Sequence, residues 1–233
     1  MKVRLILTTL IACGLVMAAQ LHAIEVKYLP TGTPDFIALL PPPPVSGSSE
    51  DQTELDETCR IHTSSTADQL ARSKDENKLT IFHFAPIIGP WFQPGKFPQT
   101  EALFKQVEAE AKQTSDTAKN YWKRARPYNA DPARFPHAIE HEAKTSYSYP
   151  SGHSTRGTAF AFLLAELFPE KRDALLAKGR ESGWLRIQGG VHYPEDVFAG
   201  RVLGQALVRE FMCSTSFQRD LAAAKAELAA ARP

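Results

Sequence analysis

The chain has 233 residues, 43% of them hydrophobic, which is enough for a sizeable core in one ordinary domain and too apolar for a chain disordered throughout. Lys and Arg number 27 against 26 Asp and Glu, a formal charge of +1. That balance excludes the broad positive field of a nucleic-acid binder, so any recognition of anions is local.

Residues 1–23 read as a secretory leader. Lys2 and Arg4 form a positive start, Leu5 to Ala19 is apolar apart from two threonines, and small residues suited to cleavage follow. The cut is expected after Ala23, with Ala18 and Ala19 as alternatives, and the expected location is the periplasm. A rival reading takes Leu10-Ile11-Ala12-Cys13 as a lipobox that would leave an acylated Cys13. No other run reaches the ~20 apolar residues that a membrane span needs. Beyond Cys13 only Cys59 and Cys213 remain. In an oxidising compartment these either close a long loop as a disulfide or stay as two buried thiols. Two cysteines with no CxxC pair do not make a structural zinc site, and no metal is expected.

The next segment, Ile24 to Ser49, holds the Pro41–Pro44 run and is expected to lie extended over a helical body as a strap. Glu50 to Ser73 is compatible with one helix, and Leu79 to Phe92 reads as core, ending at Gly89-Pro90. From Thr100 to Arg124 the residues Leu103, Phe104, Val107 and Ala111 recur at helical spacing, giving a long helix with a basic end. Pro127 to Pro150 is loop-like and carries His137 and His141, which belong to no motif and are read as structural. Ser154 to Phe168 is apolar with few interruptions, as for a helix buried on most faces at the centre of a bundle. Lys171 to Trp184 and Pro194 to Met212 follow as helices, the latter with Pro194 at a first-turn position and Glu195 and Asp196 suited to the helix dipole. Ser216 to Ala231, rich in Ala, Lys and Glu, reads as a surface helix. Its alanines leave room for a homo-oligomer, although no heptad register compels one. The sum is an all-α, single-domain helical bundle over residues 50–233, with no repeat, no strand pattern and no glycine-rich nucleotide loop.

Three short segments carry chemistry, in a fixed order. Lys119 and Arg126-Pro127 give K-x6-R-P, Pro150 to His153 give P-S-G-H, and Arg186, His192 and Asp196 give R-x5-H-x3-D. Each alone arises by chance in roughly one chain in a hundred of this length, so the ordered set is far from random. Taken singly, Lys119 or Arg186 reads as a solvated surface charge and His192 with Asp196 as a helix-start ion pair. Around one cavity, Lys119, Arg126 and Arg186 would repel each other and be costly to desolvate unless a multiply charged anion compensates them. Phosphate meets that need. Ser151 and Gly152 precede the apolar helix, so their N–H groups and the Ser151 hydroxyl are positioned for an anion at its positive end. His192 and Asp196 are four apart, a spacing that pairs them on one helical turn and leaves the second imidazole nitrogen free to attack phosphorus.

The ordered set resembles the signature of the type-2 phosphatidic acid phosphatase superfamily, which includes bacterial class A non-specific acid phosphatases and vanadium haloperoxidases. The exported, single-domain class A branch is the most similar. Leu39-Leu40-Pro41-Pro42-Pro43-Pro44, Tyr121 to Tyr128 and Gly179-Arg180-Glu181 are similar to the flanking segments of that branch. The resemblance implies a helical bundle in which His192 is the nucleophile, forms a phosphohistidine and is oriented by Asp196, while His153 protonates the leaving group. It further implies that Lys119, Arg126, Ser151, Gly152 and Arg186 hold the phosphoryl oxygens, with no metal and no cofactor. One departure stands out: Leu185 occupies the place of the family's usual serine, so one phosphate hydrogen bond is lost unless Trp184, Gln188 or a water supplies it.

The expected activity is hydrolysis of small phosphate monoesters with broad specificity and an acidic optimum, with neither nucleic acid nor a membrane span as partner. Two alternatives stay open within the resemblance. One is a lipid phosphate or diphosphate phosphatase; the other is a haloperoxidase in which vanadate fills the same cavity.

Overall fold

The computed structural model describes residues 26–29, 34–136, 138 and 146–232. The leader read over 1–23, Cys13 within it, and His137 and His141 fall outside them. Among the described residues there is no strand. The helices are α1 (Ser49–Ser64), α2 (Ala67–Asp75), α3 (Ala85–Ile88), α4 (Pro98–Trp122), α5 (Pro127–Ala130), α6 (Gly152–Leu167), α7 (Arg172–Gln188), α8 (Pro194–Cys213) and α9 (Thr215–Ala231).

The apolar helix α6 is the axis. It packs chiefly against α7 and α8, while α4 packs on α6 and α9. Ala159, Phe160, Ala161, Leu163 and Leu164 are successive or nearly so along α6, and all are buried, which is why its sequence shows no polar stripe. Two glycines set the distance between helices. A Cβ on Gly179 of α7 would lie 2.5 Å from Ala161 Cβ, and one on Gly200 of α8 would lie 2.5 Å from the Ser151 carbonyl oxygen. Both helices therefore approach the α6 backbone more closely than any side chain allows.

The chain departs from the expected elements in two places. The stretch read as one helix over 50–73 is two: Ser65 is extended, and Thr66 opens α2 with a capping box in which Thr66 N–H donates to Gln69 Oε1 (2.8 Å) and Gln69 N–H donates to Thr66 Oγ1 (3.3 Å). The local cap outcompetes continuation of the helix. The C-terminal helix α9 is more than a surface element, because Phe217, Leu221, Ala224 and Leu228 form a buried stripe at helical spacing. Its Glu227 carboxylate also accepts from the Gln99 and Thr100 N–H groups at the start of α4. The abundant alanine and charge on the opposite face hid this stripe.

The described parts of 24–49 lie against the body. The buried Glu110 carboxylate accepts the backbone N–H groups of Lys27, Tyr28 and Leu29, and the Tyr28 ring packs edge-on against Phe211 and Phe217. The Tyr149 hydroxyl donates to the Pro41 carbonyl, which ties the Pro run to the segment before α6. Cys59 and Cys213 are both free thiols; Cys59 Sγ donates to the Arg134 carbonyl at 3.6 Å, and Cys213 is exposed.

Candidate active site

Two of the cations come from the end of α4. Lys119 lies in its last turn, and the helix stops at Lys123, which takes the left-handed conformation with φ 52°. This turn sends Arg124 and Arg126 back inward, so that both are buried although charged. Lys119 Nζ donates to the carbonyls of Tyr147 (2.6 Å) and Ser148 (3.4 Å). Arg126 donates to the carbonyls of Ser146 and Val191, each at 2.9 Å. Among the described residues neither cation has a carboxylate at ion-pair distance.

His192 lies opposite. Its Nε2 is 3.3 Å from Arg126 Nη1, and its Nδ1 is 3.2 Å from Asp196 Oδ2. A guanidinium only donates and a carboxylate only accepts, so His192 carries its proton on Nδ1 and a lone pair on Nε2. The pairing with Asp196 differs from the expected one. α8 starts at Pro194, so His192 precedes the helix and does not share a turn with Asp196. Asp196 instead reaches back as a cap: Oδ2 also accepts the Tyr193 N–H at 2.9 Å, which draws residues 192 and 193 over the helix start.

Asp196 is saturated. Besides His192 and Tyr193 it accepts from the Ser148 hydroxyl at 2.5 Å on Oδ2 and from Arg124 Nη1 at 3.0 Å on Oδ1. Arg124 in turn binds Asp51 (3.1 Å) and Glu54 (2.7 Å) of α1 and lies 3.9 Å over the Tyr193 ring. Burial works against the Arg124 charge, but Asp196 and Glu54 outweigh it and hold the guanidinium above its ordinary range. Neither Arg124 nor Ser148 was legible in the sequence. Arg124 is one arginine in a basic run, and Ser148 lies in a loop with no periodicity to mark it.

The helix α6 presents the P-S-G-H segment. Ser151 is its N-cap, with Oγ accepting from Ser154 N–H at 3.3 Å. Its own N–H donates to the Asp196 carbonyl at 2.8 Å, so that group is spent on the fold and does not face an anion as expected. Gly152 faces Lys119 and Ser115. His153 Nε2 lies 3.0 Å from the Asn77 carbonyl and so carries a proton there, leaving Nδ1 as the basic nitrogen.

Arg186 comes from the last turn of α7 and is completely buried, with Nη1 donating to the Ser73 carbonyl at 3.0 Å. Ser73 Oγ donates to the Leu185 carbonyl at 2.6 Å, so α2 braces the end of α7 through one residue. Leu185 itself is buried, and neither Trp184 nor Gln188 lines the cavity.

Lys119, Arg126, Gly152, His153 and His192 line a single cavity of about 420 Å³. Ser151, Arg186 and Asp196 stand behind its wall. Crowding of cations is written into their protonation. Burial, and after it Arg126, pushes Lys119 down to about 7; burial, then Arg126 and Arg156, pushes Arg186 down to about 9. Burial, then Arg186 and Arg156, holds His153 well below the ordinary imidazole range. A multiply charged anion in this cavity would reverse each of these shifts.

Fold and site together define an all-α protein with a cation-lined cavity beside its central helix. Residues 109–220 match the PAP2 superfamily. The chain is 30% identical over 201 residues to a non-specific acid phosphatase of Salmonella typhimurium, a stretch covering 81% of this chain and 78% of that protein. It is 28% identical over 232 residues to an acid phosphatase of Zymomonas mobilis, covering 96% and 87% respectively. A shorter stretch of 57 residues, 24% of the chain and 25% of the relative, is 47% identical to a lipid A 1-phosphatase of Rhizobium etli. Its fold is similar to the crystal structure of a transmembrane PAP2 type phosphatidylglycerolphosphate phosphatase from Bacillus subtilis. The TM-score is 0.52 at 19% identity, over 72% of this chain and 87% of that one. The chain belongs to the PAP2 superfamily.

Proposed function

We propose that this chain is an exported acid phosphatase of broad specificity that passes the phosphoryl group of a phosphate monoester to His192 and then to water. The observation that carries this reading is the Nε2 lone pair of His192, 3.3 Å from the Arg126 guanidinium in a cation-lined cavity, with Nδ1–H held by Asp196. In the first step Nε2 attacks phosphorus, the P–O ester bond breaks, and His153 supplies a proton to the departing alkoxide. Lys119 and Arg126, which line the cavity, stabilise the charge that gathers on the phosphoryl oxygens, and the buried Arg186 adds its positive field from behind the wall. In the second step a water oxygen attacks the phosphohistidine, His153 takes the water proton, and phosphate leaves with the His192 lone pair restored.

The two histidines need opposite states. His192 attacks unprotonated, whereas His153 must start protonated, so the rate has a bell-shaped pH profile. His153 is held well below the ordinary imidazole range by burial, then by Arg186 and Arg156. The substrate dianion offsets those cations and lifts the imidazole, which places the optimum in acid. Names of the acid phosphatase relatives from Salmonella typhimurium and Zymomonas mobilis support this reaction class. Export rests on the leader pattern in residues 1–23.

A second reading, action on lipid phosphates, is favoured by the local similarity to a lipid A 1-phosphatase. Among the described residues no helix is long and apolar enough to cross a membrane. Turnover of p-nitrophenyl phosphate by the wild type and by His192→Ala tests the mechanism. The variant is expected to lose at least 10³-fold in kcat, as for loss of a nucleophile; turnover at the wild-type rate would refute the phosphohistidine. Comparing a nucleoside monophosphate with a micellar lipid phosphate separates the two substrate readings.

A further inference from the structure

The cavity has two halves of different charge character. At the inner half, around His192, the cations Lys119 and Arg126 are bound by carbonyl oxygens, the Ser146 hydroxyl and His192, with no carboxylate at ion-pair distance among the described residues. At the outer half two ion pairs line the wall, Arg156 with Glu108 at 2.5 Å and Lys112 with Asp116 at 2.5 Å. Helices α4 and α6 supply both halves and run in opposite directions here: Gly152 lies against Ser115 and Lys119, whereas Arg156, one turn further along α6, lies against Glu108.

Arg156 is the unusual member. Its side chain is only 17% exposed, while Glu108 is 40% exposed. A desolvated guanidinium is thus held by a carboxylate that is more than twice as exposed as itself. Arg156 Nε is buried without a hydrogen-bond partner among the described residues. The planar fork that suits a carboxylate or phosphate is therefore only partly used. None of the three sequence motifs includes Arg156, and the reaction described above does not need it.

We propose that Arg156, with Lys112 across the cavity, forms a second anion subsite. The favoured substrates are then phosphate monoesters bearing another phosphate or carboxylate about 6 Å from the scissile phosphorus, the rise of one α6 turn from Gly152 to Arg156. Glu108 acts as the resting counter-ion, and the second anion of the substrate takes its place. This inference rests on the phosphatase reading.

The test uses two compounds that differ in one charge, 3-phosphoglycerate and glycerol 3-phosphate. In the wild type kcat/KM is expected to favour 3-phosphoglycerate by roughly tenfold, the effect of one charge-assisted pair. Arg156→Gln should bring the ratio close to one. Glu108→Gln, which frees Arg156 at a half-exposed helix position, should raise it further, by about threefold. Opposite shifts from the two partners of one ion pair are not produced by a loss of folding. If Arg156→Gln fails to fold, the wild-type ratio and Glu108→Gln still decide. A wild-type ratio at or below one, or a ratio unmoved by Glu108→Gln, would overturn the subsite. Calorimetric binding of both compounds to His192→Ala reads the same ratio without turnover, so failure of the subsite and failure of the phosphatase reading are seen separately.

Discussion

Two clusters of buried charge meet at His192, and they are built on opposite plans. Around Arg124 every charge has a partner: Asp196, Asp51 and Glu54 surround one guanidinium, and Asp196 accepts hydrogen bonds on both oxygens. Around Lys119 and Arg126 the positive charge is held by carbonyl dipoles, with no carboxylate at ion-pair distance among the described residues. A compensated cluster is complete in the folded chain and serves to position His192. On the proposed function, an anion completes the uncompensated one, so part of the folding free energy is held back for binding.

Breaking the compensated cluster should have the largest effect on stability. Arg124→Met leaves Asp196 buried with its Oδ1 bare and releases α1, and a loss of about 3–5 kcal/mol is expected from chemical denaturation. If stability is unchanged, Arg124 is not the keystone of this cluster.

Lys119→Met probes the other plan, and here activity and stability should part. Turnover falls by about 10²–10³, as for removal of one preorganised donor, while the melting temperature at pH 5 rises. The sign follows from burial: Lys119 is pushed down to about 7, below its unfolded value, so the unfolded chain takes the extra proton first, and stability is lost as pH falls from the ordinary lysine range to about 7 and stays lost below it. Methionine removes that loss. Sulfate, a tetrahedral dianion that does not titrate in this range, sharpens the test. Its inhibition constant should rise by up to tenfold per pH unit above about 7 in the wild type and stay flat in the variant. A drop in melting temperature at pH 5, or a flat wild-type sulfate profile, would show that Lys119 already has its counter-charge.

The smallest effect concerns the turn that separates the two clusters. Lys123 holds a left-handed conformation that costs a side-chain-bearing residue roughly 1 kcal/mol. Lys123→Gly is expected to stabilise by up to about 1 kcal/mol without altering kcat. A clear loss of activity would mean that the Lys123 side chain, and not only its backbone, sets the path into Arg124 and Arg126.

Much of the helix order was legible because it rests on period and punctuation. The apolar run of α6, the Leu103–Phe104–Val107–Ala111 stripe of α4 and Pro194 opening α8 are local signals, and the structure follows them. The break at Ser65-Thr66 was missed although a capping box marks it, because a continuous polar pattern masked it. The stripe of α9 was missed because its apolar residues are few and set among alanines.

What the sequence by itself determined is the inventory: an all-α chain, three ordered motifs and the histidines, carboxylate and cations they contain. That much is encoded locally, through residue identity and spacing. The tertiary structure alone decided how these groups are shared out. It spent the Ser151 N–H on the Asp196 carbonyl, paired His192 with Asp196 through a helix cap, and brought Arg124 into contact with α1. His192 and Asp196 are four apart and their spacing hinted at the pair, but Ser151 and Asp196, and Arg124 and its α1 partners, lie tens of residues apart, and no local pattern records them. Whether a buried cation is satisfied by a carboxylate of the chain or left for a ligand depends on which distant backbone and side-chain groups packing brings within hydrogen-bond distance.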